Sequence, residues 1–143
     1  MKIFFTTIFI FSFFSAFAQE VHENSDSDLK NYLIEYVKAF SNHDIESMLE
    51  KTTDDIKWFS VIGDSTLLET SGKEELKESM ERYFNSVPSV RSEISDIFTL
   101  NPFVIFKEKV YWQSNGNELT QESLAIYEFR EDKIVRAWYY FGE

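Results

Sequence analysis

The composition of this chain excludes several classes of protein before any motif is considered. Its 143 residues carry 14 Lys and Arg against 25 Asp and Glu, which gives a formal net charge of −11, and they include no cysteine. So acidic a chain repels phosphate backbones and anionic lipids, which argues against a nucleic-acid partner. Two histidines without cysteine leave little from which to build a metal site, and no phosphate-binding glycine loop is present, so we expect no metal and no cofactor.

The first eighteen residues have the pattern of a secretory signal peptide. Lys2 gives a positive start, an apolar run covers residues 3–14, and an Ala-Phe-Ala cleavage site occupies residues 16–18. An uncleaved membrane anchor is the alternative. It is disfavoured because a spanning helix needs about 20 apolar residues, and polar Gln19 comes too early. We therefore predict cleavage, export to the periplasm or the medium, and a mature protein that is not attached to a membrane.

Residues 19–27 are polar and acidic, and they are predicted to form a flexible leader ahead of one domain over residues 28–143. Apolar residues then recur at helical spacing across residues 29–40. This pattern predicts an amphipathic helix, with Asp26 or Ser27 able to cap its start.

A short second helix and a β-hairpin are predicted next. Asp44 is well placed to cap a helix over residues 45–49. Residues 56–62 are rich in β-branched and aromatic side chains and predict a strand. The Gly-Asp pair at residues 63–64 indicates a tight turn into a partner strand over residues 65–70.

A third helix is predicted to begin at Ser71. Ser71 and Glu74 fit a capping box, in which each side chain accepts a hydrogen bond from the other residue's backbone amide. Pro88 prevents this helix from continuing. The strands predicted after it cover residues 90–100, 103–112, 122–129 and 133–141. Helices followed by a long run of strands predict an α+β fold with the helices packed on one face of the sheet.

Several segments in this order resemble one known superfamily. They are Tyr36-Val-Lys-Ala-Phe40, Asn42-His43-Asp44, Thr53-Asp-Asp-Ile56, Ser71-Gly-Lys-Glu74 and Ile134-Val-Arg-Ala-Trp138. Together they resemble the nuclear transport factor 2-like superfamily, and within it the SnoaL-like and ketosteroid-isomerase-like proteins. The resemblance implies a cone, with three N-terminal helices packed on a strongly bent antiparallel sheet and an apolar cavity at the wide end. Members use this cavity to isomerise, cyclise, dehydrate or hydrolyse small hydrophobic compounds, or only to bind them.

The resemblance to the steroid isomerases extends to some of their site residues. Their helix tyrosine, which donates a hydrogen bond to the developing oxyanion, matches Tyr36. Their aspartate base falls at Ser60, and their second acid falls near Ala125. Serine cannot transfer a proton at neutral pH without an activating base, so the resemblance does not imply the steroid-isomerase mechanism here.

Glu108 is the first candidate for other chemistry. A period of two places it on one strand face with Val104 and Phe106, so that a carboxylate interrupts an apolar row. If this face is concave, burial would raise the pKa of Glu108 and make it a candidate general acid or base. The alternatives are that the face points outward, or that Glu108 pairs with Arg136 or a lysine.

A set of mostly aromatic side chains is predicted to line the pocket. The set comprises Tyr36, Phe40, Trp58, Ser60, Phe84, Phe106, Glu108 and Trp138. Aromatic stripes usually fill a core completely, which is the alternative. An open wide end would instead give an apolar pocket with a few polar groups, as ligand sites have.

Three hypotheses of function follow. The leading one is an exported single-domain protein that binds a small apolar molecule in the cone without a catalytic set. The second is a SnoaL-like, cofactor-independent isomerase, cyclase or hydrolase that uses Glu108 and Tyr36. The third is a dimerising interaction module. The last two strands carry apolar residues on both faces and the helices can cover only one face, so we predict a homodimer through the outer sheet face.

Overall fold

The computed structural model describes the backbone of residues 11–142 and the side chains of residues 26–142. The predicted signal peptide, residues 1–18, has no described side chains, and residues 1–10 lie outside the described residues altogether. Cleavage and export therefore stay predictions. None of the helices in the described part of the chain has the length and apolarity needed to cross a membrane.

Three helices and six strands make up the described residues. In chain order they are α1 (Phe11–Ser41), α2 (Ile45–Glu50), β1 (Thr52–Ile62), β2 (Ser65–Ser71), α3 (Lys73–Ser86), β3 (Arg91–Leu100), β4 (Phe103–Ser114), β5 (Asn117–Arg130) and β6 (Lys133–Phe141). The α+β class predicted from the sequence is confirmed. The strand β5 begins earlier than predicted because its polar residues 117–121 pair with the far end of β4.

The N-caps predicted for α1 and α2 differ in how they compare with the structure. Asp44 caps α2 as predicted, since its Oδ1 accepts a hydrogen bond from the Ser47 amide at 3.1 Å. The backbone of α1, however, is helical through residues 19–27, so the prediction that Asp26 or Ser27 caps it is wrong. Neither glycine nor proline occurs in this helix, so nothing in its sequence forces a break there.

The third helix begins one residue later than predicted. Gly72 occupies the N-cap position at a φ of 95°, where a side chain would be strained, and its amide donates to the Ile56 carbonyl at 2.7 Å. The Ser71 amide donates to Glu75 at 2.9 Å. Glu74 was therefore the wrong partner, because the helix starts from Gly72 and Glu75 reaches back in its place.

The six strands form one sheet in the order β2-β1-β6-β5-β4-β3. Neighbouring strands are antiparallel except β1 and β6, which run parallel. The entirely antiparallel sheet expected from the sequence is thus wrong for this pair. After the β1–β2 hairpin, α3 carries the chain to the far edge of the sheet, and the meander β3–β6 returns to place β6 beside β1.

The core lies between the helices and one face of the sheet, which we call the inner face. Tyr36 on α1 meets the Tyr127 ring edge-on at 5.8 Å, and Tyr32 meets Phe129 in the same way at 6.4 Å. Through these rings α1 packs against β5. Side chains that are completely shielded from solvent include Leu33, Ile56, Leu76, Val104, Phe106 and Ile134.

The opposite, outer face carries an apolar row that crosses all six strands. Residues in register with one another form this outer row: Leu68, Phe59, Trp138, Ile126, Ile105 and Phe98. Phe59 and Trp138 stack at 5.7 Å between ring centroids. At the two ends of the row, Leu68 is 54% exposed and Phe98 is 61% exposed. A single chain therefore leaves much of this row in water.

Candidate functional site

A cavity of about 500 Å³ opens between the helices and the inner face of the sheet. Helices α1 and α3 and strands β1, β2, β4, β5 and β6 contribute to its lining. Of the residues predicted to line a pocket, Tyr36, Phe40, Trp58, Ser60 and Glu108 do so. The wide end of the fold is therefore open, and its volume lies within the range of small-molecule sites, roughly 300–1,000 Å³.

Three residues predicted for the pocket lie elsewhere, so these predictions are wrong. Phe84 is buried in the core, where its ring stacks on His43 at 4.3 Å. Phe106 is also buried in the core and meets the Tyr127 ring edge-on at 4.9 Å. Trp138 belongs to the outer row, because successive side chains of a strand alternate between the two faces.

Glu108 lies on the inner face, and only 5% of it is exposed. The alternative that it faces outward is excluded. It also does not pair with Arg136, whose Nε lies 3.2 Å from Glu128 Oε2. Instead, the Ser92 hydroxyl donates a hydrogen bond to Glu108 Oε1. Within the described chain, this carboxyl forms no ion pair.

Burial raises the pKa of Glu108 above the ordinary glutamate value of 4.5, while hydrogen bonds from Ser92 and Tyr139 act in the opposite direction. The Tyr139 hydroxyl lies 2.5 Å from the Tyr127 hydroxyl. Burial also raises the pKa of both tyrosines, which keeps them neutral. The result is a chain of polar groups, Tyr127–Tyr139–Glu108–Ser92, in which one carboxyl can hold or release a proton closer to neutral pH than an exposed glutamate can.

The end of α1 fixes the position of Ser92. The Ser41 hydroxyl donates to the Ser92 carbonyl at 3.1 Å and accepts from the Ser92 amide at 3.0 Å. Nearby, His43 Nε2 lies 2.9 Å from the Val90 carbonyl oxygen. His43 thus ties the connection between α1 and α2 to the start of β3, which is a structural role. Glu108 is therefore supported by residues from a helix end and a neighbouring strand.

Two hydroxyl groups in the cavity lining stand out. Among the described residues, Tyr36 OH and Thr70 Oγ1 are buried without a hydrogen-bond partner, although Tyr36 and Thr70 are only 2% and 4% exposed. Burial raises the pKa of Tyr36, and the negative charge of Glu108 raises it further. An unsatisfied buried hydroxyl costs about 1–3 kcal/mol, so each group would gain from a bound molecule that offers a partner.

Sequence reasoning missed several residues of this site, among them Thr70, Ser92, Tyr127 and Tyr139. Tyr139 shares a face with Ala137, which lies opposite buried Tyr127, but β6 is apolar on both faces, so this assignment needed the register of β6 against β5. Thr70 and Ser92 carry no such signal, since their placement depends on strand register and on the Ser41 contact. In the described part of the chain, no group of three or more His, Cys, Asp or Glu side chains could hold a metal ion.

Comparison with known folds agrees with this architecture. The putative hydroxylase AclR from Streptomyces galilaeus is 17% identical, with a TM-score of 0.67 over 82% of this chain and 90% of that chain. An LEH-like epoxide hydrolase from M. tuberculosis is 15% identical, with a TM-score of 0.70 over 82% of this chain and 85% of that one. A putative polyketide cyclase from Xanthomonas campestris pv. campestris is 18% identical, with a TM-score of 0.63 over 82% and 92%. At these identities the likeness shows the fold alone.

The comparison of sequences is more specific than the comparison of folds. No curated protein matches the chain significantly. The sequence profile of the SnoaL-like domain, in contrast, matches residues 33–137, which include both Tyr36 and Glu108. This match covers most of the chain, and the cone-shaped α+β fold agrees with it. The chain belongs to the SnoaL-like family of the nuclear transport factor 2-like superfamily.

Proposed function

We propose that this is an exported protein that binds a small, largely apolar molecule in the cavity. The observation that carries the proposal is the pair of buried hydroxyls, Tyr36 OH and Thr70 Oγ1, in the lining of an open cavity, for which the described part of the chain offers no hydrogen-bond partner. A core built only for stability would satisfy or replace such groups. A few polar atoms among aromatic walls give a ligand its orientation, while the apolar surface supplies most of the affinity.

The aromatic rings of the cavity wall pack against one another, which favours binding. Trp58 stacks on Tyr139 at 5.2 Å between ring centroids, and Tyr36 stacks on Trp58 at 6.3 Å. These rings come from β1, β6 and α1, so three elements preorganise one surface. A preformed surface of this kind lowers the entropy that a ligand must lose on binding.

The binding proposal is tested by screening ligands against the wild type and against a variant whose cavity is filled by a larger side chain on β1. Native mass spectrometry and thermal-shift assays on a panel of flat hydrophobic metabolites should yield a bound species and a raised Tm in the wild type. At a ligand concentration 100 times Kd, the stabilisation is about 2.7 kcal/mol. Ser60→Phe should abolish both signals, because Ser60 lines the cavity.

The matched control is Val61→Phe, which adds a similar bulk to the neighbouring residue. Val61 points to the other face of β1, beside Tyr140. It should leave binding unchanged. Equal loss of binding in both variants, or no ligand for the wild type from a broad panel, would contradict the proposal.

A second candidate function is cofactor-independent proton transfer, as an isomerase, cyclase or hydrolase. Tyr36 and Glu108 line the same cavity and interact electrostatically, which favours this candidate. Glu108 as carboxylate would take a proton from the carbon beside a carbonyl, and the electron pair would move onto the carbonyl oxygen. The Tyr36 hydroxyl would donate a hydrogen bond to this enolate oxygen. Return of the proton to another carbon would complete an isomerisation.

Hydrogen–deuterium exchange tests this chemistry without knowledge of the product. Aromatic ketones incubated with the protein in D2O should exchange the protons beside their carbonyl groups, followed by NMR. Glu108→Gln should slow exchange by about 10²–10⁴-fold because it removes the base. Tyr36→Phe should slow it by about 10²–10³-fold because it removes the oxyanion donor. Exchange that persists at the wild-type rate in Glu108→Gln would rule out this role for Glu108.

The outer face supports a further proposal, a homodimer. A two-fold axis through the sheet would lay the outer row of one chain against the same row of a second copy, so both exposed surfaces would be removed from water by one contact. Sedimentation should give a dimer for the wild type. Ile126→Lys, in the middle of the row, should give a monomer, while Asn85→Lys, at an exposed residue of α3 on the other side of the sheet, should leave the dimer intact. A wild-type monomer at micromolar concentration would overturn the dimer.

A further inference from the structure

The charges of the cavity restrict what can enter it. Among the described residues, the cavity lining includes two acidic side chains, Glu69 and Glu108. It includes no Lys, Arg or His. A ligand carboxylate or phosphate would be brought out of water toward like charge without a cation to meet it, which costs several kcal/mol. The net charge of −11 acts in the same sense, since it repels anions from the mouth and attracts cations.

We infer that the ligand of this cavity is a hydrophobic amine, whose protonated nitrogen is held by the Glu108 carboxylate and the Tyr36 hydroxyl oxygen. The inference rests on the proposed binding function and names the class of ligand. It also gives Glu108 a role other than proton transfer, as the fixed anionic partner of the bound cation.

The geometry around Glu108 suits an ammonium group. An ionised carboxylate has about four acceptor sites, and the hydroxyls of Ser92 and Tyr139 occupy two of those on Glu108. An ammonium carries several N–H donors and needs oxygen acceptors, which the rest of the carboxylate and the partnerless Tyr36 oxygen provide. A neutral alcohol in the same place would leave the buried carboxylate without a counter-charge. Pairing with a cation removes this cost, so the amine gains an interaction that the alcohol lacks.

Two neighbouring features also favour a bound cation near Glu108. Ser41, the last residue of α1, binds the Ser92 backbone, which places the C-terminal end of that helix beside the Glu108 group. The C-terminal end of a helix carries a partial negative charge that favours cations. The aromatic rings of Tyr36 and Tyr127 border the same region, and the faces of aromatic rings attract ammonium groups.

The second unpartnered hydroxyl, Thr70 Oγ1, indicates how the ligand is oriented in the cavity. Thr70 lies on β2 and Glu108 lies on β4, four strands apart in the sheet order. At about 4.8 Å per strand, this is roughly 19 Å along the curved sheet. Trp58 and Tyr139 lie between them, on β1 and β6. The matching ligand therefore has its amine at the Glu108 end, an apolar middle, and room for a hydrogen-bonding group at the Thr70 end.

The test compares three probes that share one apolar body. Isothermal titration of the wild-type protein with 1-naphthylmethylamine, 1-naphthalenemethanol and 1-naphthoate separates cation, neutral and anion recognition. The amine should bind at least tenfold more tightly than the alcohol, and the naphthoate should not bind. An alcohol that binds as tightly as the amine would overturn the inference while leaving the proposed binding function standing. Absence of binding by all three probes would overturn the inference and count against the binding function.

Substitutions test whether Glu108 causes the preference for the amine over the alcohol. Glu108→Gln should remove the tenfold preference for the amine and leave the affinity of the alcohol within about twofold. The control is Glu50→Gln, which makes the same change in net charge at an exposed residue outside the cavity and should keep the preference. A preference that survives in folded Glu108→Gln would contradict the inference. If Glu108→Gln does not fold, the affinities of the three probes for the wild type and for Tyr36→Phe decide the question. Tyr36→Phe should lower the affinity of the amine more than that of the alcohol.

Discussion

A carboxyl group taken out of water normally needs a cation, and Glu108 has none among the described residues. Its place on β4 lies between apolar and aromatic neighbours, and the hydroxyls of Ser92 and Tyr139 are the partners that stabilise it. Hydrogen bonds from neutral hydroxyls recover part of the cost of burying a charge, but they do not replace a counter-charge. A leucine here would serve stability better. Residues that reduce stability in this way are concentrated at functional sites, which is why the proposals above centre on Glu108.

The rest of the fold explains how such a group is kept in place. The C-terminal end of α1 holds Ser92 through Ser41, and Ser92 in turn holds Glu108. On the other side of the cavity, the parallel pairing of β1 with β6 brings Trp58 and Tyr139 into a stack. The cavity is thus bounded by elements that are far apart in sequence.

The helices and strands could be predicted because each carries a local signal. Helical periodicity identified Tyr36 and Phe40, and the period of two on β4 placed Glu108 in an apolar row. The choice of Trp138 was wrong because β6 is apolar on both faces, so parity could not be assigned without its register against β5. The parallel pairing of β1 with β6 and the contacts of Ser92 depend on long-range topology, which periodicity does not report. The partnerless state of Thr70 likewise appears only after the neighbouring strands are placed.

The central claim is that Glu108 is buried facing the cavity without a counter-charge from residues 26–142, and its ionisation reports this most directly. A carboxyl-carbon NMR titration of the ligand-free protein, with the resonance assigned by comparison with Glu108→Gln, measures the pKa of this group. The account predicts a midpoint clearly above the ordinary glutamate value of 4.5, because burial disfavours the charged form more than the two hydroxyl hydrogen bonds favour it. A midpoint at or below 4.5 would mean that solvation, a cation or the hydroxyl hydrogen bonds outweigh burial, and would contradict the account.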